Sequence, residues 1–65
     1  MKKSKKSIKI VSKNVMDFLS INYGMFYFSN NFKEEIYETV EWFDLDIDKS
    51  ISHLVCKYDL QILAD

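Results

Sequence analysis

The strongest constraint on this fold is a length of 65 residues combined with a single cysteine, Cys56. A domain of this size buries only about 60% of the surface that its unfolded chain exposes, so its core is marginal. One cysteine excludes an internal disulfide, and no set of side chains has the spacing of a structural metal site. We therefore expect a single domain over residues 1–65 that gains stability by forming a homodimer.

Residue usage indicates origin and compartment. All the basic residues are lysine, proline is absent, and there is one glycine. This bias towards AT-rich codons is typical of a low-GC bacterium or its phage. No run approaches the roughly 20 apolar residues of a membrane span, and the Lys-rich lead, residues 1–6, is not followed by the apolar segment of a signal peptide. Together with the unpaired thiol, this predicts a cytoplasmic protein without a membrane partner.

Apolar residues at helical spacing predict two helices. The first covers residues 14–22, with Gly24 as its C-terminal stop. The second covers residues 32–42, with Asn31 as its N-cap and Glu34 reaching back to complete a capping box. The core face of this second helix is expected to consist of Phe32, Ile36, Val40 and Phe43.

Alternation of apolar and polar residues predicts strands over residues 43–47 and 54–62. The aromatic run 25–28 is expected to be a short buried strand rather than a platform for stacking bases, and residues 8–11 an edge strand. The predicted fold class is therefore α+β, with one or two helices packed on a short antiparallel sheet. The alternative is a three-helix domain, whose last apolar stripe would omit Cys56, Leu60 and Leu63.

Catalytic and metal-binding motifs are weak. His53 and Cys56 would point to opposite faces of a strand, with no third group to orient them. The aspartates at 44, 46 and 48 have the spacing that opens an EF-hand loop, but Lys49 stands where that loop needs glycine and Val55 where it needs glutamate. We expect no enzymatic activity, no cofactor and no bound metal.

Charge is strongly polarised along the chain. Residues 1–33 contain seven Lys and one Asp, whereas residues 34–65 contain nine acidic residues and two Lys. On a helix followed by a strand, the acids of 34–48 would form one continuous row that no lysine of the segment offsets. This acidic row and the tryptophan beside it form the predicted partner-binding surface: Glu34, Glu35, Glu38, Glu41, Trp42, Asp44, Asp46 and Asp48.

A dense acidic surface can imitate a nucleic-acid backbone and occupy a basic channel. In its general character the chain resembles the small phage-encoded inhibitors that block host nucleic-acid machinery, without residue-by-residue correspondence. We therefore expect a non-catalytic inhibitor of a host or defence protein, such as a CRISPR effector, replication clamp, polymerase or nuclease. The alternative is a small nucleic-acid-binding regulator that uses the Lys-rich N-terminus, with a helix-turn-helix if the C-terminal segment is helical.

Overall fold

The computed structural model describes residues 5–62, which form three helices that each pack against the other two. Helix α1 spans Lys5–Tyr23, α2 spans Asn30–Trp42 and α3 spans Ile47–Tyr58. The described residues contain no strand, so the predicted α+β class is wrong and the three-helix alternative is the fold that forms.

The core is small and is shared equally among the helices. Each helix buries two apolar side chains, and Phe32 and Phe43 are half-buried around them. The predicted core face of α2 is therefore confirmed at its centre. The buried apolar side chains are Val15, Leu19, Ile36, Val40, Ile51 and Leu54.

Two side-chain caps fix where α2 and α3 begin. The hydroxyl of Ser29 accepts a hydrogen bond from the backbone N–H of Phe32 at 3.2 Å, so α2 starts two residues earlier than expected. The predicted capping box of Asn31 and Glu34 is wrong. At α3, a carboxylate oxygen of Asp46 accepts the N–H of Lys49 at 2.9 Å. Each bond satisfies an N–H that the helix itself leaves unpaired.

Left-handed residues end α2 and α3 and explain why two strands were wrongly predicted. Asp44 (φ 59°), Leu45 (φ 66°) and Asp59 (φ 53°) occupy this conformation, and the residue after each aspartate bonds back to its helix. The N–H of Leu45 donates to the Val40 carbonyl at 2.8 Å, and that of Leu60 to the Val55 carbonyl at 3.0 Å. This is the Schellman arrangement, in which the apolar residue after the left-handed one packs back onto the domain.

The alternation in residues 43–47 and 54–62 therefore records helix ends rather than strands. Leu45 and Leu60 pack against the core from outside the helices, whereas Cys56 is exposed on α3. The argument against a third helix was that its apolar stripe would omit three apolar residues, and it does not hold for Cys56 and Leu60. The third, Leu63, lies outside the described residues.

The remaining strand predictions are also wrong. Residues 8–11 lie inside α1, which includes the predicted helix 14–22 and begins nine residues earlier. Residues 25–28 form an irregular connection after Gly24 (φ 69°) and pair with no strand in the described chain. Its centre is exposed rather than buried. Of the Lys-rich lead 1–6, residues 5 and 6 open α1 and the rest lie outside the described residues.

Within residues 5–62, no helix combines the length and the apolar character that crossing a bilayer requires.

The equal division of the core among three helices makes each buried side chain important for stability. Ile36 is fully buried at the centre of α2. We expect Ile36→Ala to lower the free energy of unfolding by about 2 to 5 kcal/mol, because truncation leaves a cavity that the core cannot refill. Chemical denaturation measures the loss. The control Ile10→Ala, at a position 55% exposed, should change stability much less, and equal losses in both variants would contradict this core.

Candidate functional site

The outer surface of α2 carries three exposed glutamates, Glu34, Glu38 and Glu41, which we call the acidic face. They lie opposite the buried residues Ile36 and Val40, as a turn of 100° per residue requires. Along the helix axis they are separated by about 6 and about 4.5 Å. The acidic face is therefore a short row on one rigid element.

An exposed indole lies directly beside this row. Trp42 is 82% exposed and is the last residue of α2. It shares an open groove between α2 and α3 with Glu38, His53 and Lys57. Phe43 also lines this groove, and the centroid of its ring lies 5.5 Å from that of the His53 ring. The groove thus has an aromatic side, an acidic side and one basic side chain.

Glu35 occupies a different position from the one predicted. One of its carboxylate oxygens accepts a hydrogen bond from the Lys57 ammonium, and the other accepts one from the Tyr58 hydroxyl. Its side chain is 23% exposed. Glu35 therefore joins α2 to α3 and is already occupied by contacts within the fold.

These hydrogen bonds shift the pKa values of Glu35, Lys57 and Tyr58 in directions that agree with one another. The hydrogen bond from Lys57, followed by that from Tyr58, lowers the pKa of Glu35 below its ordinary value. The same carboxylate raises the pKa of Lys57 and also that of Tyr58, because each donates its proton to a negative charge. The arrangement favours an ionised Glu35 held between two donors.

The three aspartates do not continue the row, so the predicted strand face is wrong. Asp44 lies in the turn after α2, and Asp46 caps α3. Asp48 is exposed in the first turn of α3 and lines a depression with Phe18 and Cys56, between α3 and α1. Folding therefore divides the expected acidic surface into three parts. These are the acidic face, Asp44 and Asp46 between α2 and α3, and Asp48 on α3.

The absence of lysine within the segment 34–48 does not leave the acidic face without nearby positive charge. Lys5 and Lys9 of α1 line the same depression as Glu34 and Glu41. These lysines come from the basic half of the sequence, and the packing of α1 on α2 brings them within range of the acidic face. Mutual repulsion among the glutamates is therefore smaller than the sequence suggests.

The geometry changes the relation of His53 and Cys56. On α3 they are three residues apart and therefore share one helix face, contrary to the strand prediction. Both line a shallow depression next to Phe43, and no hydrogen bond joins them in the described part of the chain. Among residues 5–62, no group of three or more His, Cys, Asp or Glu side chains could hold a metal ion.

Sequence reasoning missed the α3 side of the groove. The predicted strand 54–62 includes Lys57 and Tyr58 and does not place them, or His53, beside α2. The helical spacing of Leu54 and Tyr58 was the available signal, since it places Lys57 beside them on the same helix.

Glu35 gives the fold a defined pH dependence. Its ordinary pKa is 4.5 and folding lowers it, so below pH 4.5 the unfolded chain takes up the proton first and stability is lost. We expect Glu35→Gln to be less stable than the parent at neutral pH, with a difference that shrinks as the pH falls below 4.5. Denaturation at a series of pH values measures it. Glu34→Gln, an exposed neighbour, should change this profile less, and identical profiles for Glu35→Gln and the parent would show that the contact contributes nothing.

No protein-family model, no curated protein and no solved structure matches the chain. Its function has to be inferred from its own residues and their contacts.

Proposed function

We propose that the protein is a non-catalytic inhibitor that binds a basic, nucleic-acid-holding surface of a partner protein through the acidic face and Trp42. The observation that carries this proposal is the 82% exposed indole of Trp42 directly beside three exposed glutamates. A large exposed aromatic ring next to a row of one charge sign combines the two components of a charged protein interface, an apolar anchor and an electrostatic guide.

Magnitudes favour a combined mechanism over pure charge mimicry. The acidic face presents one charge per about 5 Å of helix axis, whereas one DNA strand presents one per about 3.4 Å. Over the about 10.5 Å that the three glutamates span, one strand presents about four phosphates, so the row carries about one charge fewer. Such a short row steers association but provides little affinity after desolvation. Burial of Trp42 in a pocket of the partner supplies the rest, since tryptophan is enriched among the residues that dominate binding energy.

The partner class follows from this surface and from the origin of the sequence. A site for about four phosphates next to an apolar pocket fits a protein that binds a nucleic-acid backbone, such as a CRISPR effector, a replication clamp, a polymerase or a nuclease. The AT-rich residue usage supports a phage gene acting in the host cytoplasm. Of the predicted surface, the proposal keeps Glu34, Glu38, Glu41 and Trp42 as contact residues. Glu35 and Asp46 act by fixing the helices.

A second candidate function rests on the opposite charge. Lys5, Lys6, Lys9 and Lys13 surround Ile10 on the exposed side of α1, where a nucleic-acid phosphate chain could lie. A helix-turn-helix mode is less suitable. Residues 43–46 join α2 and α3 as such a motif requires, but acidic residues cover the outer surface of α2 and the start of α3, where DNA would approach.

The proposal predicts that neutralising the acidic face weakens binding. In Glu34→Gln/Glu38→Gln/Glu41→Gln we expect partner affinity to fall at least tenfold and association to slow most at low salt, because steering is lost. Trp42→Ala should lower affinity as well, chiefly through faster dissociation. The measurement is capture of a partner from bacterial lysate by the immobilised protein, followed by binding kinetics and by displacement with duplex DNA, which should compete.

The matched control is Asp17→Asn/Asp48→Asn/Asp59→Asn, which removes three negative charges elsewhere. It should bind like the parent, since asparagine also accepts the left-handed backbone of Asp59. Equal weakening by both triple variants would show a net-charge effect and reject the acidic face as the binding surface. A gel shift of duplex DNA by the free protein, lost steeply as salt rises, would instead favour the lysines of α1.

A further inference from the structure

One end of the molecule exposes large apolar side chains that the proposed function does not use. Phe26 and Tyr27 are 81% and 82% exposed in the connection between α1 and α2. Ile21 is 75% exposed and Phe18 40% exposed in the last turns of α1. We call these four residues the aromatic end. Its exposed apolar side chains are comparable in size to those that form the core.

Backbone contacts bring these residues together. Phe18 and Ile21 are three residues apart on α1 and therefore neighbours on its surface. After Gly24 the chain turns back against the helix, since the N–H of Met25 donates to the Leu19 carbonyl at 3.3 Å. The Ser20 hydroxyl also donates to the Met25 carbonyl, at 2.6 Å. These two bonds hold the next residues, Phe26 and Tyr27, next to the last turn of α1.

A shallow groove adjoins the aromatic end on the side of α3. It lies between α1 and α3, and its lining includes Phe18, Tyr23 and Val55 together with the carboxylate-bearing Asp48. The rings of Phe18 and Tyr23 are 6.2 Å apart at its rim. Exposed rings and a mostly apolar groove, in which Asp48 is the one charged lining residue, thus lie side by side on one molecule, as a self-complementary surface requires.

The distribution of charge indicates which molecule can bind to the aromatic end. Residues 18–32 contain no charged side chain, whereas the exposed sides of α1 and α2 carry Lys and Glu rows. In a two-fold dimer each surface near the axis meets its own copy, so a row of one sign would repel itself. Among the surfaces formed by residues 5–62, the aromatic end is the one that can face itself without that cost.

Area sets the strength of the contact. A phenylalanine or tyrosine side chain buries about 150 to 250 Å², so two such rings with Ile21 and part of Phe18 supply about 400 to 600 Å² per copy. The total of about 800 to 1,200 Å² falls at the low end of specific protein interfaces. A dimer formed this way is weak, with a dissociation constant of about micromolar or above.

From neutrality, area and the adjoining groove we infer that the aromatic end is the interface of a homodimer, occupied by a second copy of this chain. The acidic face and Trp42 lie on α2, outside this interface. Self-association therefore gives the protein two copies of its proposed partner-binding surface, and the two functions depend on different residues.

Sedimentation equilibrium tests the inference on the full chain. Between about 0.1 µM and about 1 mM, a range that begins below a micromolar constant and ends well above it, the mass should rise from the 7.8 kDa of one chain towards twice that value. The dissociation constant of the dimer should rise at least tenfold in Phe26→Ser/Tyr27→Ser. It should rise by a similar factor in Ile21→Asn, an independent variant on α1. Far-UV circular dichroism should be unchanged in both, because the altered side chains are exposed.

The matched control is Trp42→Ser, since Trp42 and Tyr27 are equally exposed at 82%. It should dimerise like the parent, even though the proposed function predicts that it loses partner affinity. A mass of 7.8 kDa throughout, or dimers unchanged in both aromatic-end variants, would overturn the inference. So would dissociation on raising salt to about 0.5 M, because that result identifies pairing between the lysines of α1 and the glutamates of α2.

Discussion

The burial of six apolar side chains, two from each helix, is the constraint on which the rest of this structure depends. No disulfide supports so small a core, so α1, α2 and α3 must each contribute and none can be omitted. The contact of Glu35 with Lys57 and Tyr58 strengthens the α2–α3 side of this arrangement. With few residues committed to the interior, most side chains of a 65-residue chain remain at the surface, where they can serve binding.

The lysine-rich side of α1, the acidic face of α2 and the aromatic end differ because they come from different parts of a sequence whose charge is polarised. Helix α1 buries Val15 and Leu19 and exposes lysines, whereas α2 buries Ile36 and Val40 and exposes glutamates. Their packing places Lys5 and Lys9 beside the glutamates, which limits self-repulsion within the fold. The uncharged segment 18–32 forms the remaining end. This separation of charge supports one surface for a basic partner and another for a second copy.

Part of this structure could be predicted from the sequence, and the reasons for the failures are physical. The α2 stripe was readable because Ile36 and Val40 follow helical spacing. The end of α2 was misread because Leu45 follows a left-handed aspartate and returns to the core, which imitates the alternation of a strand. Leu60 misleads in the same way after α3. Asp44 and Asp59 stand where glycine usually follows a helix, so the sequence lacks the residue that normally indicates a helix end.

The candidate site was predictable only where it lies on one element. The exposed position of Glu34, Glu38 and Glu41 follows from helix geometry alone, so the fold changes little about them. The role of Glu35 depends on Lys57, a residue 22 positions away, and no local pattern reveals such a pairing. The aspartates after α2 were misplaced because their positions depended on the incorrect strand.

Fluorescence of Trp42, the single tryptophan of the chain, tests the central claim most directly. The indole is exposed in the described fold, so its emission in the free protein should be that of a water-exposed ring, open to quenching by iodide. On titration with a captured partner we expect a blue shift and protection from iodide, and self-association alone should leave both unchanged. If an independent method shows that the partner binds while Trp42 stays equally open to iodide, the binding surface is not the acidic face with Trp42.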